Sequence, residues 1–280
     1  MAEADVTDNV RPGQSSGRLV RKLFASLLAR GYVGFVYLVL VLPMIIIVAV
    51  AFTSGDFLTF PPEEFSTRYF SEVLASSTWL GGLRLSVTIA VGAAVVSTSV
   101  GGALAFGLNR YDITYSKQLW GLGVLPLLVP PVIVAVALMS FFLLIDLWGT
   151  RLAVVLAHGL VYSPFPFVLI SSGLDEIDEA VEEVSRSLGA SRFQTLRQIT
   201  VPLLASNFLV AILFTFILSL NEYLIASFVG GPGLETIPVL IFASLRYNYS
   251  PVIAAVSVLY MTVTVGIVAL INYRLDGQLW

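Results

Sequence analysis

Apolar residues run through this chain in long unbroken blocks, separated by short polar links. Six blocks are long enough to cross about 30 Å of hydrocarbon as helix, which takes about 20 residues. They cover Tyr32–Phe52, Leu83–Leu108, Leu119–Ile145, Leu152–Leu174, Leu203–Val229 and Pro251–Tyr273. None alternates apolar and polar positions with a period of two, so strands of a barrel are excluded. One link stands apart from the rest. Asp175–Pro202 is long and rich in charged and polar residues.

Composition agrees with lipid as the main solvent. Asp, Glu, Lys and Arg make up 12% of residues, about half the share of a soluble domain. Hydrophobic residues reach 57%, with a mean hydropathy of +0.91. So few charges could not cover the surface of a water-soluble fold of this length. The absence of cysteine excludes a disulfide framework and a thiolate metal site. A net charge of −3 gives no basic excess for nucleic acid.

The placement of charge sets the orientation. With six spans, one side carries Arg11, Arg18, Arg21, Lys22, Arg30, Arg110, Lys117, Arg186, Arg192, Arg197 and Arg274. The other carries Arg68, Arg151 and Arg246, with Arg84 at the mouth of the second span. The excess of Lys and Arg on cytoplasmic loops puts both termini in the cytoplasm. The expected fold class is an all-α integral membrane protein of six transmembrane helices. Residues 1–30 form a cytoplasmic N-terminal arm, and Met1–Gly17, polar, with Pro, Gly, Ser and Asn, reads as a disordered tail. Residues 31–280 form the membrane domain. Ala49-Val50-Ala51 has the composition of a signal cleavage site, but the arm before it and the apolar run are both long for a signal peptide. Trp79, Trp120 and Trp148 fall at segment ends, where indoles anchor at the headgroups.

The long loop specifies two short helices and a corner. Asp178 can cap the first helix, and Glu179, Glu182 and Glu183 suit its positive N-terminal end. Glu182 and Arg186 stand four apart and can pair across a turn. Val181, Val184 and Leu188 share a face that should bury itself, against the bundle or in a partner's groove. Gly189 supplies a left-handed C-cap, and Ser191 with Gln194 makes a capping box that starts a second helix. Pro202 lets the chain turn as it reaches the fifth span.

This loop resembles the EAA motif of ABC importer permeases: Glu-Ala-Ala, three residues, Gly, nine residues, Ile, one residue, Leu-Pro. Glu183, Val184 and Ser185 occupy the first three places, followed by Gly189, Ile199 and Val201-Pro202 at the same spacing. Val184, Ser185 and Val201 depart mildly from the consensus. Leu58 to Ser66 with Tyr69, Leu125 to Pro131, Ser219 to Tyr223, Phe228 to Pro232 and Leu234 to Val239 resemble the spermidine/putrescine branch, which also holds importers of iron, thiamine, opines and phosphonates. The resemblance implies a type I ABC importer permease fold in a bacterial-type inner membrane. It implies docking of the loop, through Glu179, Glu182, Glu183, Val184, Ser185, Arg186, Leu188, Gly189, Ala190, Ile199 and Pro202, into a cytoplasmic ATPase dimer. It also implies a second, homologous permease and a periplasmic or lipid-anchored solute-binding protein. The transported solute would be a polyamine or a related small molecule. This chain carries no glycine-rich phosphate loop followed by Lys-Ser or Lys-Thr, so ATP and Mg belong to the partner ATPase.

Within the apolar blocks, Ala93, Ser97, Gly101 and Ala105 recur every four residues, the spacing of a close helix–helix contact. Pro126, Pro130, Pro131, Pro164 and Pro166 interrupt the third and fourth spans. Glu222, between Asn221 and Tyr223, is an ionisable group at membrane depth, where such residues usually face a water-filled path. Asn221, Glu222, Tyr223, Pro130 and Pro131 are therefore the candidate lining of a solute pathway. His158, the single histidine, reads as a buried hydrogen-bonding group. No catalytic residue is expected. A membrane protease would show a Gly-x-Ser-x-Gly motif, an aspartate pair or a zinc motif, and a secondary carrier two matching halves.

Overall fold

A computed structural model describes residues 14–247 and 250–274. Among them the chain is helical with no strand, apart from one antiparallel bridge between Thr53 and Phe65. In order come α1 (Gln14–Ala51), α2 (Arg68–Ala75), α3 (Ser77–Arg110), α4 (Ser116–Val124), a 3-10 turn (Leu125–Leu128), α5 (Pro131–Leu144), α6 (Arg151–Tyr162), α7 (Pro164–Glu176) and α8 (Glu179–Ser187). They are followed by α9 (Arg192–Thr195), a π turn (Leu196–Thr200), α10 (Val201–Leu203), α11 (Ala205–Leu220), α12 (Leu224–Gly230), α13 (Ile237–Tyr247) and α14 (Val252–Arg274). Helix α1 begins before the end of the tail expected to be disordered, because extending a formed helix costs far less than nucleating one. Residues 1–13 of that tail, with Arg11, lie outside the described residues.

Three stretches are long and apolar enough to span a bilayer unaided: Ser26–Ala51, Ser77–Arg110 and Val252–Ala269. Four further helix pairs have the length only when joined across a bend. The third apolar block turns by 100° between the 3-10 turn and α5, at Val129-Pro130, and the fourth bends by 44° between α6 and α7 at Pro164. Proline supplies the physical reason in both, since it cannot donate the next helical hydrogen bond. The segment Arg192–Leu203 meets α11 at 69°, and the α12 segment meets α13 at 84°.

The fifth block departs from its sequence reading. Leu203–Val229 is not one helix: α11 stops at Leu220, and α12 starts afresh at Leu224. The Glu222 carboxylate takes the backbone N–H groups of Ile225 and Ala226, each at 2.9 Å. A side chain that satisfies the free N–H groups of a new helix ends the old one.

Helix α3 is the axis of the bundle, packed against α6, α7 and α11. Its small-residue face is buried throughout, including Ala93, Ser97, Gly101 and Ala105. At Gly101 a β-carbon would stand 2.5 Å from the Ser163 carbonyl oxygen and 2.7 Å from the Phe167 nitrogen, so only glycine admits α7 at this distance. Ser97 and Thr215 hydroxyls meet at 3.4 Å between α3 and α11. By contrast, α1 touches the bundle through α14 and leaves Tyr32, Phe35, Leu38 and Leu42 exposed, as a lipid- or protein-facing helix should.

Candidate functional site

The loop after α7 folds as its local chemistry directs. The Asp178 carboxylate accepts the Ala180 N–H at 2.9 Å and starts α8. At the other end Gly189 has φ +93°, its N–H bonding to the Arg186 carbonyl at 3.0 Å and that of Ala190 to the Ser185 carbonyl at 3.2 Å. These two bonds are a Schellman motif, which satisfies carbonyls the helix end leaves free. Ser191 and Gln194 form the reciprocal capping box that opens α9. The Ser185 and Thr195 hydroxyls, both buried, meet at 3.0 Å and close the corner between α8 and α9. Ser185 therefore occupies its alanine-like place as a fastener.

The two faces of α8 differ. Val181, Val184 and Leu188 are exposed, Leu188 at 84%. With Ala180, Ser185, Ala190 and Ile199 they line an open apolar groove of about 560 Å³. Among the described residues nothing covers this face. Glu183 is exposed beside the groove, and Glu179 is exposed at the first turn. Pro202, also exposed, lies within α10, where the chain turns toward α11.

On the opposite face Glu182 does not pair with Arg186, as its spacing suggested. Arg186 Nε instead reaches the Glu182 carbonyl, at 3.4 Å. The Glu182 carboxylate meets Arg110 Nε at 3.1 Å and accepts the Thr200 hydroxyl at 2.9 Å. Arg110, in the last turn of α3, also lies 3.7 Å from Glu179 and donates to the Leu174 carbonyl at 3.3 Å. Asn109 donates to Asp175 at 2.6 Å. A half-buried cation offers a better partner than one on an exposed turn, because its field is less screened. In the sequence Arg110 stands only as one of the charges beside the second link. Asn109, Thr195 and Thr200 carried no sequence signal, since their partners lie on other helices.

At the α11–α12 break, the Glu222 side chain is turned inward and its carboxylate is already occupied by backbone donors. His158 Nε2 stands 3.2 Å from it, outside hydrogen-bond geometry, and His158 Nδ1 lies 2.7 Å from the Ser219 hydroxyl. Ser219, His158 and Glu222 have the order of a nucleophilic triad. Ser219 and His158 are buried, however, and the Glu222 side chain is 8% exposed, leaving no open side for a substrate carbonyl at Ser219. Their geometry suits a polar lock between α6 and the break. Asn221 is exposed beside it, and Tyr223 stacks on Phe242 at 4.1 Å between ring centres. Pro130 and Pro131 sit at the start of α5, which packs on α12, so the two groups of candidate pathway residues lie on neighbouring elements. Trp148 donates to the Phe228 carbonyl at 2.9 Å, tying the link before α6 to the end of α12.

Residues 99–279 match the family described as the inner membrane component of binding-protein-dependent transport systems. The chain belongs to this family. As a permease of a binding-protein-dependent ABC importer it is a multi-pass protein of the inner membrane. The putrescine transport system permease protein PotI of Escherichia coli (strain K12) is 32% identical over 243 residues, covering 84% of this chain and 86% of PotI. The spermidine/putrescine transport system permease protein PotC of the same strain is 26% identical over 246 residues, covering 88% of this chain and 93% of PotC. A solved bacterial ABC transporter that imports the acidic polysaccharide alginate shares the fold. Its TM-score is 0.73 at 17% identity, with 92% of this chain and 98% of that one covered. The type I importer permease architecture is therefore that of this chain. The loop and the α11–α12 break both fall inside the family match.

Proposed function

We propose that this permease imports a polyamine or a related small solute, driven by ATP hydrolysis in a separate cytoplasmic ATPase dimer that docks on α8. The observation that carries the reading is the exposed apolar groove of Val181, Val184, Leu188 and Ile199, presented on a helix capped at both ends. A rigid knob with an uncovered apolar face and Glu183 beside it is what a partner's groove receives. Gly189 and Ala190 hold its corner, Pro202 marks the turn toward α11, and Glu179, Glu182, Ser185 and Arg186 hold or flank the helix. ATP and Mg would be bound by the ATPase.

The remaining parts of the reading follow from the family and the topology. A second, homologous permease completes the pathway, and a periplasmic or lipid-anchored binding protein delivers the solute. Six spans with both termini in the cytoplasm take the α12–α13 pair, bent by 84°, as a re-entrant loop rather than a span, and require the second and fourth links to share a side. The Arg110–Glu182 and Asn109–Asp175 contacts support this by joining those links directly. Substrate class rests on PotI and PotC, whose names specify putrescine and spermidine. The pathway is assigned to the break at Asn221–Tyr223 and the Pro130-Pro131 corner, with Glu222 acting by holding α12 in place. The test is purification of the assembled complex from native membranes, mass spectrometry of its subunits and bound solute, and uptake of radiolabelled putrescine in proteoliposomes. Recovery of the chain without an ATPase subunit would overturn the reading.

A further inference from the structure

We infer that Arg110 is the positioning residue that fastens the α8 knob to α3, so that displacement of α8 is delivered to the axis of the bundle. The inference rests on α8 being the coupling element. Its basis is a convergence at one guanidinium. Nε meets Glu182 on α8, Nη1 approaches Glu179 on the same helix, and Nη2 holds the Leu174 carbonyl on α7. The Glu182 carboxylate in turn receives Thr200 from the π turn leading to α11. Nη1 also contacts the Asn109 side-chain oxygen, and Asn109 is itself bonded to Asp175. Four elements are thereby tied at one point, beside a polar cleft of about 710 Å³.

Burial makes this tie unlike an ordinary surface ion pair. Side-chain exposure is 15% for Arg110 and 14% for Glu182, whereas an exposed pair would be screened and contribute little. A planar fork with several donors also fixes direction as well as distance, which a lysine cannot do. Mechanically, α8 has little other purchase on the bundle: its outer face is bare and its buried Ser185 bonds to Thr195 of the loop itself. Helix α3, which Arg110 ends, packs on α6, α7 and α11. A force on α8 thus enters the bundle at the foot of its central helix.

The test uses the full complex of permeases, ATPase and binding protein in proteoliposomes, with putrescine-loaded binding protein as the stimulus. The chain has no cysteine of its own, so introduced thiols are unique within it. Arg110→Cys with Glu182→Cys breaks the tie, and a short bis-maleimide rebuilds it covalently. We expect stimulated ATP hydrolysis and putrescine uptake to fall about tenfold in the unbridged pair and to recover on bridging, the coupling of two contacting sites being read as their joint effect. Glu182→Gln, a gentler change, should lower stimulation while the ATPase still co-purifies. Full coupling in the unbridged pair, or loss of the remaining activity on bridging, would overturn the inference. The second result would mean that α3 and α8 must slide past each other. Failure of the underlying reading looks different: Gly189→Val would then also remain fully coupled.

Discussion

Gly189→Val is the most direct perturbation of the docking loop. An added β-carbon at this site has no heavy atom within 4 Å, so the β-carbon itself meets open space. The cost that the structure shows lies in the backbone, at φ +93°. A residue with a β-carbon is disfavoured in the left-handed region by about 1–2 kcal/mol, and β-branching adds to this. That strain is relieved when the corner opens, which breaks the Gly189 and Ala190 bonds to the end of α8. By the conversion of about 1.4 kcal/mol per factor of ten, the closed corner becomes about 5- to 30-fold less favoured relative to open forms. Binding-protein-stimulated ATP hydrolysis and uptake should fall together in reconstituted complexes, while pairing with the second permease persists because no span is touched. Gly189→Asn should lose much less, because asparagine tolerates left-handed backbone. Full coupled transport by Gly189→Val, or equal losses for Val and Asn, would refute the argument.

Further outcomes follow from the same geometry. Leu188→Glu places a charge in the apolar groove and should reduce ATPase co-purification by about tenfold, since an unpaired charge resists burial; undiminished recovery would move the docking surface elsewhere. Gly101→Ala forces α3 away from Ser163 and should destabilise the detergent-solubilised protein by about 1–3 kcal/mol, read as a lowered thermal midpoint. Glu222→Gln leaves one acceptor for two backbone N–H groups at the start of α12. It should lower putrescine uptake and cost about 1–3 kcal/mol in stability; unchanged uptake and melting would remove Glu222 from the pathway reading. A reporter fused after Trp280 should be active only in the cytoplasm, and labelling of Glu182→Cys from outside intact cells would reverse the proposed orientation.

Whatever short-range chemistry and solvent preference decide is legible in the chain alone. Long apolar blocks required helices in lipid, the prolines at 130, 131 and 164 marked bends, and Asp178, Gly189 and Ser191 set the ends of α8 and α9, because caps depend on neighbours within a few residues. Tertiary structure alone decided which partner each charge took. Arg186 stands one turn from Glu182, yet Glu182 meets Arg110, 72 residues earlier in the chain, because the fold brings the end of α3 beneath α8 and shields the pair from water. The division of Leu203–Val229 was equally illegible. An apolar run shows no boundary until Glu222, held beside His158 of α6, turns its carboxylate onto the first free N–H groups of α12 and ends one helix by starting another.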